Sequence, residues 1–319
     1  MKAMVIDRYG GSDQLTPREV ERPQPGRGEV LIRVRASGVN PVDWKIRRGM
    51  LRLLLRSRFP LILGGDVAGE IEAVGPGVTR WRESEPVFAL LDLRRGGGGY
   101  AEYAVAPETA VARRPDSLSV EEAASMPIAA LTALQSLRDL GRLAKGQLVL
   151  VNGASGGVGT FAVQIGKALG ARVVGVCRAD NAELVQGLGA DEIIDYQQED
   201  FTRRPERYHV VLDAVAKSSF ADCARILEPE GIYISTLPGP GVLLLGAFLP
   251  GAGLLGYGKR AKLIVVKGMG DDLALLGRYA DEGRLRPVID RVYPLEQVRE
   301  AHDQSESGRV RGKIVLRVP

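Results

Sequence analysis

Apolar and polar positions alternate in short runs over the first third of the chain, and clusters such as Pro23–Gly26 separate the runs. Three of these runs predict strands: Val30–Ala36, Gly69–Val74 and Pro86–Leu91. At Ser119 the pattern becomes helical, because Ser119 followed by Glu122 three residues later is typical of a capping box. Residues 1–120 therefore predict a mostly antiparallel, barrel-like domain.

Short apolar runs and helical segments then alternate to about Gly283. Six of the runs predict strands: Leu148–Asn152, Val173–Cys177, Ile193–Asp195, Val210–Asp213, Ile232–Thr236 and Leu263–Lys267. This alternation predicts an α/β fold with a doubly wound parallel Rossmann sheet over residues 121–286. Strand character returns at Val288–Tyr293 and Lys313–Val318. We expect residues 287–319 to rejoin the first domain, which makes that domain discontinuous.

Residues Leu148–Arg178 form one strand–turn–helix–strand unit of the size of a mononucleotide-binding βαβ unit. We expect Gly156 to form the tight turn, and Gly157 and Gly159 to let the backbone approach a pyrophosphate. The N–H groups at the start of the helix would bind the phosphates. Ala154 stands where the strict glycine pattern begins, and alanine can serve there if its φ stays negative.

The end of the second strand indicates which dinucleotide binds. NAD-binding proteins place an acid there for the ribose 2′-OH, whereas this chain has Cys177 and Arg178, with no carboxylate until Asp180. A guanidinium suits a 2′-phosphate, so the sequence favours NADPH. The alternative is that Arg178 is only a solvated residue at a strand end.

Composition excludes several classes of protein. The 319 residues are 45% apolar and 26% charged, as in globular proteins, and a net charge of +4 is too small to indicate nucleic-acid binding. Two separated cysteines and a first strand without a signal-peptide core favour the cytoplasm. Ser235–Gly258 has no charged residue, but its prolines and glycines argue against a membrane span.

The chain resembles the medium-chain dehydrogenase/reductase superfamily, and within it the zinc-independent quinone oxidoreductase branch. The run from Asn40 to Met50 is most similar to plant chloroplast-envelope quinone oxidoreductase homologues and related enone reductases. The resemblance covers nearly the whole chain and rests on these motifs: Gly38–Lys45, Gly65–Glu70, Val74–Val78, Leu131–Ala133, Asn152–Gly159, Gly189–Glu192, Asp195–Tyr196 and Gly312–Val315. It implies a GroES-like first domain, and we expect a homodimer.

The resemblance also indicates whether the chain has the ligands to bind zinc. Zinc enzymes of this superfamily bind catalytic zinc through cysteine, histidine and a further cysteine or acid, and the matching positions here are Asn40, Asp66 and approximately Ile128. Isoleucine cannot bind zinc and asparagine is a poor ligand for it. The four closely spaced cysteines of a structural zinc site are absent from the sequence. We therefore expect no metal.

Without a Lewis acid, reduction of an electron-poor acceptor is easier than oxidation of an alcohol. The expected reaction is hydride transfer from NADPH to a quinone or to the C=C bond of an α,β-unsaturated carbonyl, with hydrogen-bond donors stabilising the oxyanion. The candidate catalytic residues are Asn40, Lys45 and Tyr100. Each has a structural alternative: Asn40 shapes the turn before a proline, Lys45 is a solvated residue, and Tyr100 packs a loop. Asp43 is interpreted as the N-cap of a helix that begins at Trp44.

The resemblance implies a set of cofactor contacts at the pyrophosphate, the adenosine phosphates and the nicotinamide. The candidates are Thr132, Ser155, Gly156, Gly157, Val158, Gly159, Arg178, Tyr196, Leu237 and Lys313. Edge packing is the alternative for Tyr196, and the start of a strand is the alternative for Lys313.

Two other functions remain open on the sequence. One is a zinc alcohol dehydrogenase, and the other is a non-catalytic NADPH-binding protein that acts as a redox sensor or binds RNA. The chain lacks a basic stripe with interleaved aromatic residues, which argues against RNA.

Overall fold

The computed structural model describes residues 1–53, 55, 58–237 and 259–319. Within them the chain forms two compact units. The first contains Met1–Leu131 and Lys267–Pro319, and the second contains Thr132–Val266. The predicted segment Ser235–Gly258 lies outside the described residues beyond Leu237. None of the described helices has the length and apolar content needed to cross a bilayer.

The elements up to residue 140 are strands and short helices. They are β1 (Lys2–Ile6), β2 (Thr16–Glu19), β3 (Glu29–Val39), α1 (Pro41–Arg47), β4 (Leu61–Ile62), β5 (Asp66–Val74), β6 (Pro86–Leu90), β7 (Tyr103–Pro107), β8 (Val111–Arg113), α2 (Val120–Ala124) and α3 (Pro127–Leu134).

The remaining elements alternate strands with helices. They are β9 (Leu148–Asn152), α4 (Gly157–Ala168), β10 (Arg172–Cys177), α5 (Ala182–Gly187), β11 (Glu192–Asp195), β12 (Tyr208–Asp213), α6 (Phe220–Cys223), β13 (Leu227–Ser235), β14 (Arg260–Leu263), α7 (Gly270–Asp281), β15 (Ile289–Pro294), α8 (Val298–Glu306) and β16 (Lys313–Arg317).

The second unit contains the predicted parallel sheet. Its strand order is β11-β10-β9-β12-β13-β14, which is the 3-2-1-4-5-6 order of a dinucleotide-binding fold. The predicted fold class is therefore confirmed. The last strand begins three residues before its prediction, because Arg260 pairs with Ile232 and Leu263 with Ser235. This edge strand carries charged residues, whereas the prediction followed the apolar run behind it.

The first unit is built around β3, which pairs with β5, β7 and β16. The main sheet has the order β15-β16-β3-β5-β6-β8, and a smaller antiparallel sheet has the order β2-β1-β4. The C-terminal strand joins the main sheet through the pairs Ile314↔Val39 and Leu316↔Ser37. Fully buried apolar residues such as Ile32 and Val67 fill the core beneath β3 and β5.

The first unit is larger than the sequence predicts, since it runs to residue 131 and resumes at residue 267 instead of 120 and 287. Helix α7 accounts for most of the difference. A Cβ at Gly270 would lie 2.4 Å from the carbonyl oxygen of Val111, so the start of α7 lies directly against β8.

Two helix starts can be compared with their predictions. The capping box at α2 is confirmed, because the Ser119 N–H donates to the Glu122 carboxylate at 2.9 Å and the Glu122 N–H donates to the Ser119 Oγ at 3.2 Å. The prediction that Asp43 is an N-cap is wrong. Helix α1 begins at Pro41, which suits the first helical position, and Asn40 is its N-cap. Asp43 instead accepts the Asn40 N–H at 2.7 Å.

Candidate active site

The turn between β9 and α4 supplies the backbone for a phosphate site. Gly153 makes the tight turn with a φ of +84°, whereas Gly156 is extended with a φ of −85° and caps α4. The expectation that Gly156 forms the tight turn is therefore wrong. Ala154 does not adopt a positive φ, so alanine is tolerated there. A Cβ at Gly159 would lie 2.1 Å from the Gly153 carbonyl oxygen, which only glycine allows.

The first turn of α4 presents N–H groups without acidic side chains. Gly157, Val158 and Gly159 occupy the positions whose N–H groups have no acceptor within the helix. No acidic residue lies in this turn, and the helix dipole favours an anion there. The close approach at Gly159 and these N–H groups fit a dinucleotide pyrophosphate.

Arg178 and Tyr196 lie next to each other at the carboxyl edge of the sheet. They directly follow Cys177 of β10 and Asp195 of β11, which are paired. Arg178 is exposed and its guanidinium lies 3.2 Å from the Asp180 carboxylate. The Tyr196 side chain is also exposed. Both side chains are therefore accessible to a ligand at this edge.

Asn181 is a residue of this edge that the sequence analysis missed. Its Nδ2 donates to the Ser155 Oγ at 3.1 Å, which ties the loop after β10 to the glycine turn. Its Oδ1 is buried and has no hydrogen-bond partner among the described residues. An acceptor in this position suits a ribose hydroxyl. The only signal in the sequence is that an amide follows Arg178 within four residues.

A second missed feature is the loop after β12. The Asp213 carboxylate accepts the N–H groups of Ala216 at 2.8 Å and Ser218 at 2.9 Å, the Tyr233 hydroxyl at 3.0 Å and the Asn152 Nδ2 at 3.1 Å. Strands β9 and β12 are neighbours at the point where the strand order reverses, which is where ligands bind in such sheets. Asp213 thus shapes the loop beside this crevice.

Two further predicted cofactor contacts, Leu237 and Thr132, also belong to the second unit. Leu237 follows β13 and is held by hydrogen bonds to the Ser235 side chain, so it stands at the same carboxyl edge. Thr132 is buried on α3.

In the first unit, Asn40 and Lys313 are brought together with Asp66. The Asn40 Nδ2 donates to the Asp66 Oδ2 at 2.9 Å, and the Lys313 ammonium donates to the Asn40 Oδ1. The Lys313 Nζ also lies 3.2 Å from the Asp66 Oδ2. All three residues are at least 97% buried, with 3%, 0% and 3% of Asn40, Asp66 and Lys313 exposed. Lys313 is predicted as a cofactor contact, and in the structure its ammonium forms an ion pair with the Asp66 carboxylate.

Neighbouring backbone completes the hydrogen bonding of Asp66. The Ile128 N–H donates to its Oδ1 at 2.7 Å. Gly38 on the paired strand provides the space, because a Cβ there would lie 2.7 Å from the Asp66 Oδ2. Burial raises the pKa of the Asp66 carboxyl, and the positive charge of Lys313 opposes this rise.

Tyr100 belongs to the core of the first unit. Its hydroxyl lies 3.1 Å from the Asp43 Oδ2 and 3.1 Å from the His302 Nε2, and all three side chains are fully buried. Burial raises the pKa of Tyr100 well above its ordinary value. This position favours the packing role that the sequence left open. Burial also raises the pKa of Asp43 to about 7 and, together with the charge of Arg47, lowers that of His302 to about 3.

Lys45 lies on helix α1, five residues after its N-cap Asn40. Its Nζ is 5.2 Å from the centre of the Trp44 ring, and burial lowers its pKa.

The fold and the site together define the class of protein. The strand order, the glycine turn and the exposed residues at the carboxyl edge are those of a dinucleotide-binding oxidoreductase fold. Residues 26–116 match the alcohol dehydrogenase GroES-like domain, and residues 188–316 match the zinc-binding dehydrogenase family.

Similar proteins place the chain more narrowly. It is 36% identical to the chloroplastic quinone oxidoreductase QR1 of Triphysaria versicolor, over 99% of this chain and 98% of that protein. It is 33% identical to the mitochondrial NAD(P)H oxidoreductase RTN4IP1 of Mus musculus, over 100% and 89%. The quinone oxidoreductase structure from Coxiella burnetii superposes with a TM-score of 0.89 at 29% identity, over 100% and 99%.

The chain belongs to the medium-chain dehydrogenase/reductase superfamily, in its quinone oxidoreductase branch. It is an oxidoreductase with the nicotinamide-dinucleotide-binding fold of that superfamily.

The family model implies zinc, and the residues at the matching positions do not fit it. Asp66 is the one acid there, and its Oδ2 lies against a buried ammonium. Asn40 and Ile128 supply an amide and an alkyl side chain, which suit zinc poorly or not at all. Among the described residues, no group of three or more His, Cys, Asp or Glu is placed to hold a metal ion.

Proposed function

We propose that the protein is an NADPH-dependent reductase that transfers hydride to a quinone or to the C=C bond of an α,β-unsaturated carbonyl without a metal. The observation that carries the proposal is the Asn40–Asp66–Lys313 cluster, which joins an amide donor to a buried cation. The resemblance matches two of its members, Asn40 and Asp66, to zinc-ligand positions of the zinc enzymes. Such a site polarises a carbonyl by hydrogen bonding, which suits an acceptor that is already electron-poor.

The glycine turn, Ser155 and the start of α4 would hold the pyrophosphate. Arg178 would pair with the 2′-phosphate, and Tyr196 and Asn181 would bind the adenosine ribose and its phosphates. Thr132 and Leu237 would lie near the nicotinamide, as the resemblance implies. When bound, NADPH supplies the hydride.

Residues of the first unit would bind the acceptor and stabilise the charge that develops on it. An amide nitrogen carries two protons, and the Asn40 Nδ2 donates one of them to Asp66. The second would donate to the acceptor oxygen and stabilise its developing negative charge. Lys45 is the second candidate donor, because its burial makes the ammonium easier to deprotonate. Solvent would supply the final proton.

The test is NADPH oxidation with a panel of quinones, alkenals and enones, followed by identification of the products. Hydroquinone indicates a quinone reductase, and a saturated carbonyl indicates an ene-reductase. No turnover with any acceptor would support the non-catalytic NADPH-binding protein instead. We also propose that the protein is cytosolic, because Cys177 and Cys223 are free, buried thiols that suit a reducing compartment. The homodimer expected above is part of the same proposal.

Replacing Arg178 with alanine is expected to raise the KM for NADPH by about 10- to 100-fold and to leave the KM for NADH unchanged. The reason is the loss of a bidentate guanidinium–phosphate pair that only NADPH can form. Asp180 competes only weakly with the 2′-phosphate for Arg178, because the exposed Arg178–Asp180 ion pair contributes about 0–1 kcal/mol. Steady-state kinetics with both cofactors measure the effect.

The matched control is Arg172→Ala, at the opposite end of the same strand and also exposed. It should change neither KM. Equal efficiency with both cofactors in the wild type, unchanged in the Arg178 variant, would show that Arg178 is only solvated.

A further inference from the structure

We propose that Lys313 is the positioning residue of this site: its ammonium fixes which way the Asn40 amide faces and so keeps Nδ2 as the donor. This inference rests on the proposed reductase function for its catalytic meaning. The claim that Lys313 orients the Asn40 amide rests only on the hydrogen bonds within the cluster.

Charge alone determines the orientation of the Asn40 amide. An ammonium can only donate and an ionised carboxylate can only accept. With the Asn40 Oδ1 at Lys313 and Nδ2 at Asp66, both contacts are favourable. Turning the amide over would place Nδ2 against the ammonium and Oδ1 against the carboxylate, so both contacts would become repulsive. Packing could not make this distinction, because the two amide ends have nearly the same shape.

The ammonium also strengthens the donor that it orients. A hydrogen bond from Lys313 to Oδ1 draws electron density through the amide, which makes the Nδ2 protons better donors. The cluster is buried, so solvent does not screen this effect. Lys313 thus places a fixed positive charge at the oxygen end of the Asn40 amide, opposite the nitrogen that would donate to the acceptor.

The backbone holds Lys313 in place. Gly312 has a φ of +74°, and a Cβ there would lie 2.2 Å from the Val288 carbonyl oxygen. The Lys313 N–H donates to that same oxygen at 2.8 Å. Because Ile314 pairs with Val39, the antiparallel register sets Lys313 beside Asn40. Glycine at 312 and the ladder to β3 therefore determine where the ammonium lies.

The test compares Lys313→Met with the double variant Asp66→Asn/Lys313→Met. The single variant leaves a buried carboxylate unpaired, so it is expected to lose stability. The double variant removes both charges together and should fold. It no longer fixes the Asn40 amide, so kcat for the acceptor is expected to fall about 10- to 100-fold while the Kd for NADPH stays within about twofold. A folded double variant with wild-type kcat would overturn the proposal.

A second readout does not depend on activity. Asn40, Asn152 and Asn181 are the three asparagines of the chain, so ¹⁵N-asparagine labelling gives three side-chain amide groups. Asp66→Asn adds a fourth asparagine to the double variant, so Asn40→Asp is made in both backgrounds and identifies the Asn40 signal of each by its loss. We expect its two protons to be well separated in the wild type, because one donates to a carboxylate, and to move together in the double variant.

The two readouts separate the two proposals. If the wild type reduces no acceptor but the Asn40 signal responds as expected, the reductase function fails and the positioning role of Lys313 stands. If the enzyme is active and the Asn40 signal is the same in the wild type and the double variant, the positioning role fails alone.

Discussion

Replacing Asp213 with alanine is expected to lower the free energy of unfolding by about 3–5 kcal/mol and to weaken NADPH binding at least about tenfold. The fully buried carboxylate accepts from the Ala216 and Ser218 N–H groups, and the substitution leaves these two donors without a partner. It also removes one of the two acceptors of the Tyr233 hydroxyl, the other being the Ser218 carbonyl oxygen at 2.7 Å. The loop that they hold lies close to the glycine turn, since a Cβ at Gly153 would be 2.6 Å from the Val215 Cγ1. Urea denaturation followed by circular dichroism measures the stability, and NADPH fluorescence measures the binding.

The control for this prediction is Asp200→Ala in the same unit. Asp200 also accepts a backbone N–H, from Thr202 at 3.0 Å, but it is exposed. Its removal should cost about 1 kcal/mol and leave NADPH binding unchanged. If both variants lose the same stability, Asp213 does not organise the loop in the way the hydrogen bonds indicate.

Asp43 and His302 are expected to make the stability of the first unit depend on pH in opposite directions. The pKa of Asp43 is raised from 3.8 to about 7, so the folded chain binds this proton more tightly and stability falls as pH rises through that range. The pKa of His302 is lowered from 6.5 to about 3, so stability falls as pH drops through that range. In the wild type the two contributions oppose each other between about pH 4 and 6.5.

Single substitutions should expose each contribution. In Asp43→Asn the histidine acts alone, so the free energy of unfolding should rise by about 2 kcal/mol from pH 4.5 to 6.5. In His302→Gln the Asp43 carboxyl acts alone, so the free energy of unfolding should fall by a similar amount over the same pH range. An amide oxygen can still accept from the Asn40 N–H and the Tyr100 hydroxyl, because both bonds go to the same oxygen, Oδ2.

Tryptophan fluorescence is a specific probe for this experiment. Trp44 and Trp81 are the two tryptophans of the chain, and both lie in the first unit. The charged residues that act on the pair, Arg47 on His302 and Asp66 and Lys313 on Asp43, are unchanged in both variants. If both variants show the same dependence on pH as the wild type, the two buried groups do not titrate as described.

Much of the second unit can be predicted from the sequence because its signals are local. Buried parallel strands are short apolar runs, and the glycine turn follows one of them directly. The order of the strands then follows from the known handedness and winding of such sheets. The prediction failed where neighbours decide the outcome. At β14 the edge strand is set by its pairing with β13, and the tight turn is made by Gly153, one residue after the strand ends.

The chemistry of the first unit could be predicted only in part, because its contacts join distant residues. The sequence singled out Asn40 and Lys313, but not the contact between them, because they lie 273 residues apart. The contact between Tyr100 and His302 likewise spans 202 residues. The hydrophobic periodicity of a sequence does not indicate contacts between residues so far apart in the chain. The start of α1 was also misplaced, because Asp43 is as good an N-cap as Asn40 by residue type alone. The proline that follows Asn40 was the signal that favoured the earlier start.

An anaerobic turnover experiment in chelator-treated buffer tests most directly whether the protein is a metal-free reductase. NADPH and one acceptor from the quinone and enone panel are mixed with the enzyme, and NADP⁺ and the reduced product are quantified. We predict one hydroquinone or saturated carbonyl per NADP⁺, at a rate that chelation does not change. If NADPH were not consumed with any acceptor, or if the rate were lost on chelation and restored by zinc, a metal-free NADPH-dependent reductase would be contradicted.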